Sequence, residues 1–310
     1  MTAIKEYLGK LRDTATHLSM GGLRRFSDLS SSELKEFQEG WGSIETERRR
    51  QIVRAMVDLA EDNFELDFGA VYRLCLDDTD EAVRLAAVNG LWEDCELTTA
   101  ELLLRVLAED PAPAVRAAAA TSLGQFAYLV EVEKLNARTA KKVVSGLRAV
   151  AQKEDEDLEV RRRAVEAIGF LSEDWVAPLI ERSYHHPDAK MRASAVFAMG
   201  RNCDVRWLPT VLREMQSSSP EMRFEAARAA GEIEDKRAVP QLVALVRDPD
   251  PEVRLAAVDA LGQVGGKLAK RALEDVARGE DEEMREAAEA ALEELSLDED
   301  PLGFRPDWDA

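Results

Sequence analysis

The sequence predicts an all-α fold, an α-solenoid stacked from antiparallel helix pairs. Three observations predict it. One short segment recurs seven times, a helix-start signal precedes nearly every copy, and a proline-headed apolar segment stands a fixed distance upstream of several copies. A fixed internal period marks a repeat architecture, in which no unit buries its apolar face without its neighbour.

The seven copies begin at Glu81 (EAVRLAAVNGLW), Pro113 (PAVRAAAATSLG), Leu158 (LEVRRRAVEAIG), Ala189 (AKMRASAVFAMG), Pro220 (PEMRFEAARAAG), Pro251 (PEVRLAAVDALG) and Glu282 (EEMREAAEAALE). Their anchor arginines are Arg84, Arg116, Arg161, Arg192, Arg223, Arg254 and Arg285, separated by 32, 45, 31, 31, 31 and 31 residues. A degenerate eighth copy precedes them, with Arg49 as anchor and Ile52, Val53 and Met56 at matching offsets.

Each copy reads as a helix. Four residues before the anchor stand Asp80, Asp157, Asp188, Ser219, Asp250 and Asp281, whose side-chain oxygens can accept from the free amides of a first turn. Pro113, Pro220 and Pro251 follow at the first helical position, where the missing N–H costs nothing. The copy anchored at Arg116 departs, with Ala112 at the cap. Upstream, Pro178, Pro209 and Pro240 each stand 14 residues before an anchor and head the segments APLIERS, LPTVLREM and VPQLVALV. One unit is therefore a first helix, a turn and a second helix, and each buried Leu or Val contributes roughly 1.5–3 kcal/mol.

An arginine in a first turn faces the unfavourable end of the helix dipole, so the anchor needs a partner. Aspartates recur six residues before it, as Asp78, Asp110, Asp155 and Asp248. Arg84, Arg116, Arg161, Arg192, Arg223, Arg254 and Arg285 are expected to form with them a structural ladder of charge-assisted hydrogen bonds between adjacent repeats.

A second helix of the form VRxxAAxALG after a DPDPEVR-like turn resembles the HEAT-repeat family, particularly the short HEAT-like repeats also found in phycobilin lyases. Asp248, Arg254 and the run Val253–Gly262 carry the resemblance best, and it extends over residues 47–296. It implies a right-handed superhelix whose second helices line the concave face. It implies no single activity, because one repeat fold serves many functions.

Composition bounds the function. Of 310 residues, 45% are hydrophobic and 33% charged, with a net charge of −20. That charge suits solubility or a basic protein partner, and it counts against duplex DNA and anionic membranes, which need clustered Lys and Arg. No stretch approaches the ~20 apolar residues of a membrane span, and the N-terminal MTAIKEYLGKLRD has no apolar run of signal-peptide type. Cys75, Cys95 and Cys203 form no CxxC pair, which fits a reduced, cytoplasmic setting.

The departures from the repeat set the domain plan. Residues 1–46, with FSDLSSSELKEFQEGW, are expected to be a helical cap; residues 47–296 are the solenoid; residues 297–310 are an acidic, largely irregular tail carrying Phe304 and Trp308. The 45-residue gap holds about 14 extra residues around Tyr128–Lys142, either a longer helix pair or a contact ridge.

Motifs that carry chemistry are few. No phosphate-binding loop, dinucleotide fingerprint or H-E-x-x-H occurs. His185 and His186 lie in a turn and His17 is isolated, too few ligands for a metal site. Cys75 falls in a first-helix core register, where inert packing is expected. No catalytic residue, cofactor or metal is assigned.

With 100° per residue, offsets −1, +3, +6, +7 and +10 from the anchor gather on the core side, and +1, +5, +8 and +9 lie opposite. That opposite face carries Leu85, Trp92, Phe170, Phe197, Phe224 and Leu255, interleaved with Arg162, Arg201 and Arg228 and with Glu166, Glu232 and Asp259. Aromatics flanked by Arg are hot-spot material, so this stripe is the candidate surface for a protein or peptide partner. The leading expectation is a non-catalytic interaction scaffold. The resemblance to phycobilin lyases also implies chromophore handling as an alternative, and a basic strip of Arg162, Arg201 and Arg228 leaves a nucleic-acid reading, which the net charge opposes.

Overall fold

The computed structural model describes residues 3–13 and 17–299. They form helices joined by turns, with no strand among the described residues. The chain divides into two compact units, residues 1–167 and 168–310.

The first unit opens with α1 (Ala3–Leu11), α2 (Met20–Leu23) and α3 (Ser31–Trp41). A capping box starts α3: the Glu33 N–H donates to Ser30 Oγ at 3.4 Å and the Ser30 N–H to Glu33 Oε2 at 3.0 Å. Phe26 meets Phe37 edge-on at 4.9 Å, and Phe37 stacks on Trp41 at 5.0 Å. Trp41 Nε1 then donates to Asp78 Oδ2 at 2.7 Å, so the aromatic cluster of the N-terminal helices is tied by a hydrogen bond to the first clear repeat.

First and second helices then alternate: α4 (Thr46–Glu61), α5 (Gly69–Cys75), α6 (Glu81–Gly90), α7 (Leu97–Glu109), α8 (Pro113–Glu131), α9 (Ala137–Gln152) and α10 (Leu158–Ile168). The extra residues around 128–142 lengthen α8 to 19 residues and α9 to 16, with Asn136 capping α9 through the Thr139 N–H. The second unit holds three pairs and a terminal pair: α11 (Val176–Tyr184) and α12 (Ala189–Arg201), α13 (Leu208–Glu214) and α14 (Pro220–Ile233), α15 (Val239–Leu245) and α16 (Pro251–Val264), α17 (Lys267–Ala277) and α18 (Glu282–Glu299). The last helix runs to Glu299, past the expected start of an irregular tail at Leu297. Phe304 and Trp308 lie outside the described residues.

The start signals work as their chemistry demands. Asp80 accepts from the N–H groups of Ala82 and Val83, Asp188 from Met191, Ser219 from Met222 and Asp250 from Glu252 and Val253. Ala112 caps nothing; the Asp110 carboxylate takes its N–H at 2.9 Å instead.

Arg84 and Arg223 each reach forward to the acid of the next repeat and backward to their own turn. Arg84 donates through Nε and Nη2 to Asp110 at 2.7 and 2.9 Å, and through Nη1 to the Asp78 carbonyl at 2.9 Å. Arg223 does the same with Asp248, at 2.7 Å for both bonds, and the Ser217 carbonyl at 2.9 Å. The degenerate anchor Arg49 pairs with Asp78 at 3.0 Å. These bonds offset the dipole penalty of a first-turn cation, because they bring carboxylate and carbonyl oxygens to it.

Other rungs differ from expectation. Arg161 Nε is buried without a hydrogen-bond partner, and the next repeat has His186 where the acid would stand. Asp155 is exposed, and Arg116 hydrogen-bonds Glu156 instead; in the turn after the lengthened α9, the longer glutamate side chain reaches where a shorter aspartate elsewhere suffices. Arg192 binds only the carbonyls of His186 and Pro187, at 3.0 and 2.7 Å, since the next repeat has Ser217 where the acid would stand. The rungs weaken at the C-terminal end: Arg254 lies 3.7 Å from Asp281, and Arg285 reaches only Glu282 of its own helix, also at 3.7 Å.

Offset +8 is not a free position in the second unit. Gly169, Gly200, Gly231 and Gly262 occupy it, each buried. A Cβ on Gly200 would lie 2.7 Å from Ala229 Cα, one on Gly169 3.0 Å from Ala198 Cα, and one on Gly231 3.0 Å from Ala260 Cα. Successive second helices therefore pack backbone against backbone, glycine of one on alanine of the next, which only the smallest side chains permit.

Candidate partner-binding face

With offset +8 packed away, +1, +5 and +9 remain on the outer side of the second helices. A step of 27 residues, one repeat forward and one helical turn back, connects them diagonally. Phe170, Phe197 and Phe224 form one diagonal, Arg201, Arg228 and Leu255 the next, and Glu232 with Asp259 begins a third. Aromatic, basic and acidic rows thus lie side by side on the second unit.

The rows interlock. The Arg201 guanidinium sits 5.1 Å from the Phe170 ring centre and 5.2 Å from that of Phe197. Arg228 sits 5.0 Å from Phe197 and 5.8 Å from Phe224. Phenylalanine and arginine alternate along the diagonal, each contact inside the range of cation–π attraction. Glu232 lies behind them, 3.3 Å from Arg201 and 3.8 Å from Arg228, and Glu225 lies 3.5 Å from Arg228. Burial pushes the Glu232 carboxyl up, against the pull of Arg201 and Arg228.

Phe170, Phe197, Phe224, Arg201, Arg228 and Leu255 are all half-buried. Their rings and guanidinium planes are fixed by one another, yet part of each reaches solvent. This gives a firm, mixed apolar and cationic strip of the kind that loses little side-chain entropy on binding. Such a strip can hold aromatic or carbonyl-rich peptide surface and can pair with carboxylates through Arg201 and Arg228.

The candidate residues of the first unit have surroundings of their own. Arg162 is only 8% exposed and hydrogen-bonds Glu159 at 2.6 Å, so burial and an i,i+3 partner remove it from the face. Leu85 is half-buried on α6, and Trp92 is 56% exposed just beyond that helix. Glu232 is legible in the sequence as a residue of this face; that Glu232 and Glu225 are the anions beside Arg201 and Arg228 is seen only in the structure.

Cys75 is fully buried, and burial pushes its thiol up; Cys95 and Cys203 are exposed and free. His185 lies 2.9 Å from Glu181, and His186 Nδ1 accepts the Asp188 N–H at 3.1 Å. Among the described residues no group of three or more His, Cys, Asp or Glu side chains could hold a metal ion, and no helix is long and apolar enough to cross a membrane.

Known proteins share this architecture. No curated protein matches the sequence. Among solved structures, a chain of the CpcE and CpcF complex of phycocyanin lyase from Nostoc sp. PCC7120 is 17% identical and superposes with a TM-score of 0.50, over 73% of this chain and 94% of that one. A chain of the Kap95:Nup1 complex is 15% identical with a TM-score of 0.51, over 94% of this chain and 46% of that one, so the protein spans less than half its length. At these identities the likeness is one of fold. The model of HEAT repeats matches residues 71–153, 176–248 and 208–293, more than half of the chain, and the chain belongs to the HEAT-repeat family.

Proposed function

We propose that the protein is a non-catalytic scaffold that holds a protein or peptide partner against the second-helix face of its second unit. The observation that carries this reading is the alternation Phe170–Arg201–Phe197–Arg228–Phe224, half-exposed and held in place by cation–π contacts and Glu232. A solenoid that needed only solubility would carry scattered charge on this face; a row of aromatics interleaved with arginine is what partner-binding surfaces use. The partner presents apolar groups to the Phe row and carboxylates or carbonyls to Arg201 and Arg228, and a cytoplasmic setting fits the free thiols.

The test is site-specific photo-crosslinking in the native cell extract. A benzoyl-phenylalanine at position 197 is expected to trap a discrete partner, whereas the same group in place of Ala244, exposed on the first helix α15, traps none. Equal trapping at both positions would remove the reading.

A further inference from the structure

The repeat pattern breaks at one place where the break builds something. Repeats of the second unit hold alanine at offset +6 (Ala198, Ala229, Ala260) and glycine at +8 (Gly200, Gly231, Gly262); the repeat anchored at Arg84 departs from this, with Gly90 at +6 and Trp92 at +8. Gly90 makes room for a ring: a Cβ there would lie 2.6 Å from Tyr72. Trp92, freed from the packing position, is 56% exposed.

Between these residues and the loop after α4 lies a cleft of about 470 Å³ in the first unit. That volume is enough for a long side chain. Tyr72 lines it and is 1% exposed, and its hydroxyl has no hydrogen-bond partner, a cost that a protein normally removes. Phe64 and Trp92 also line the cleft, and Phe64 is 86% exposed, the most exposed large apolar residue among those described.

The charge of the cleft is one-sided. Glu61, Asp67, Glu93, Asp94 and Glu96 line it against the single guanidinium of Arg73. Arg73 is already taken: it hydrogen-bonds Asp94 and lies 3.3 Å from Glu96. Asp94 in turn accepts from Thr99 at 2.9 Å. The other three carboxylates have no opposing cation in the cleft, so an anionic ligand is repelled and a neutral one leaves them unused. A small cation seated inside would leave Phe64 in water. Only a chain crossing the mouth covers that ring while sending a cation inward.

We propose that this cleft docks a basic segment of a partner protein, one arginine side chain entering past Phe64 and Trp92 to meet the Glu61 and Glu93 carboxylates. Aromatic rings and carboxylates together recognise a guanidinium, the rings by cation–π attraction and stacking, the acids by paired hydrogen bonds. The site lies within the first unit and does not rest on the reading given for the second.

The test uses the full chain and a fluorescein-labelled Gly-Arg-Gly-Arg-Gly-Arg-Gly peptide, followed by anisotropy, with the citrulline peptide as a neutral control of matching shape. Wild type is expected to bind the arginine peptide with a Kd below about 1 mM and the citrulline peptide at least about tenfold more weakly. Phe64→Ala, Trp92→Ala and Glu61→Gln/Glu93→Gln are expected to weaken binding roughly fivefold or more each, with far-UV circular dichroism unchanged because all these side chains are on the surface. Phe197→Ser/Phe224→Ser is expected to bind this peptide like wild type. Absent binding by wild type, equal affinity for the citrulline peptide, or cleft variants that bind as wild type does would overturn the proposal.

Discussion

Arg223 and Asp248 are joined by two hydrogen bonds of 2.7 Å across adjacent repeats. Both side chains are nearly buried, 12% and 6% exposed, and Arg223 also holds the Ser217 carbonyl of its own turn. One side chain thus fixes the turn within a repeat and the spacing to the next. Buried charge that is fully bonded in this way is costly to break on one side.

The first prediction follows from that pair. Asp248→Ala is expected to lower stability by roughly 2–4 kcal/mol, because it leaves the Arg223 guanidinium without its anion. The double variant Arg223→Met/Asp248→Leu is expected to lose less than Asp248→Ala alone, since it removes both charges together. Urea unfolding followed by circular dichroism reads both. A double variant no more stable than the single one would show that the rung is not an isolated pair.

The second concerns the glycine contacts. Gly200→Ala should stabilise a solvent-facing helix by up to ~1 kcal/mol on helix preference alone. Here the added Cβ meets Ala229 Cα at 2.7 Å, and overpacking against backbone costs roughly 1–3 kcal/mol. A lower urea midpoint for Gly200→Ala is expected; a higher one would mean that the second helices are not in backbone contact there.

Acid sensitivity gives the third. Burial pushes the Glu156 carboxyl up, but hydrogen bonds from Lys153, Arg116 and the Asp157 N–H hold it at about 2. The bond from Arg50, against burial, and the N–H groups of Val83 and Ala82 hold Asp80 at about 2 as well. Both pKa values are depressed on folding, so their stabilisation is present above the ordinary carboxylate range and is lost as pH falls towards 2. The urea midpoint is expected to fall between about pH 4.5 and about 2, and Glu156→Gln to flatten that fall while lowering the midpoint at neutral pH. A wild-type midpoint constant across the window would contradict the assignment.

The helix pairs and their starts were legible in the sequence because caps, N1 prolines and the 31-residue period act locally. Asp80, Asp188, Ser219 and Asp250 cap where their spacing placed them. What escaped depends on the next repeat. A helical wheel puts Gly200 on the outer side, and only the neighbouring Ala229 shows that it is packed. The wheel likewise puts Arg162 outside, though it is buried and bonded to Glu159. The face itself was visible as residue types, but not the pairing of Arg201 with two rings and one carboxylate, because a period read along one helix cannot report a diagonal that crosses three.

Holding a protein partner against the Phe and Arg diagonals is the function proposed for the second unit. Its most direct measurement is quantitative affinity capture from the native cell extract with wild type and Phe197→Ser/Phe224→Ser side by side, read by mass spectrometry. Circular dichroism serves as the check on folding. A defined partner is expected to be retained by wild type and reduced at least about tenfold by the double variant, with the helical signal unchanged. The same partners captured in equal amount by a folded double variant would contradict it.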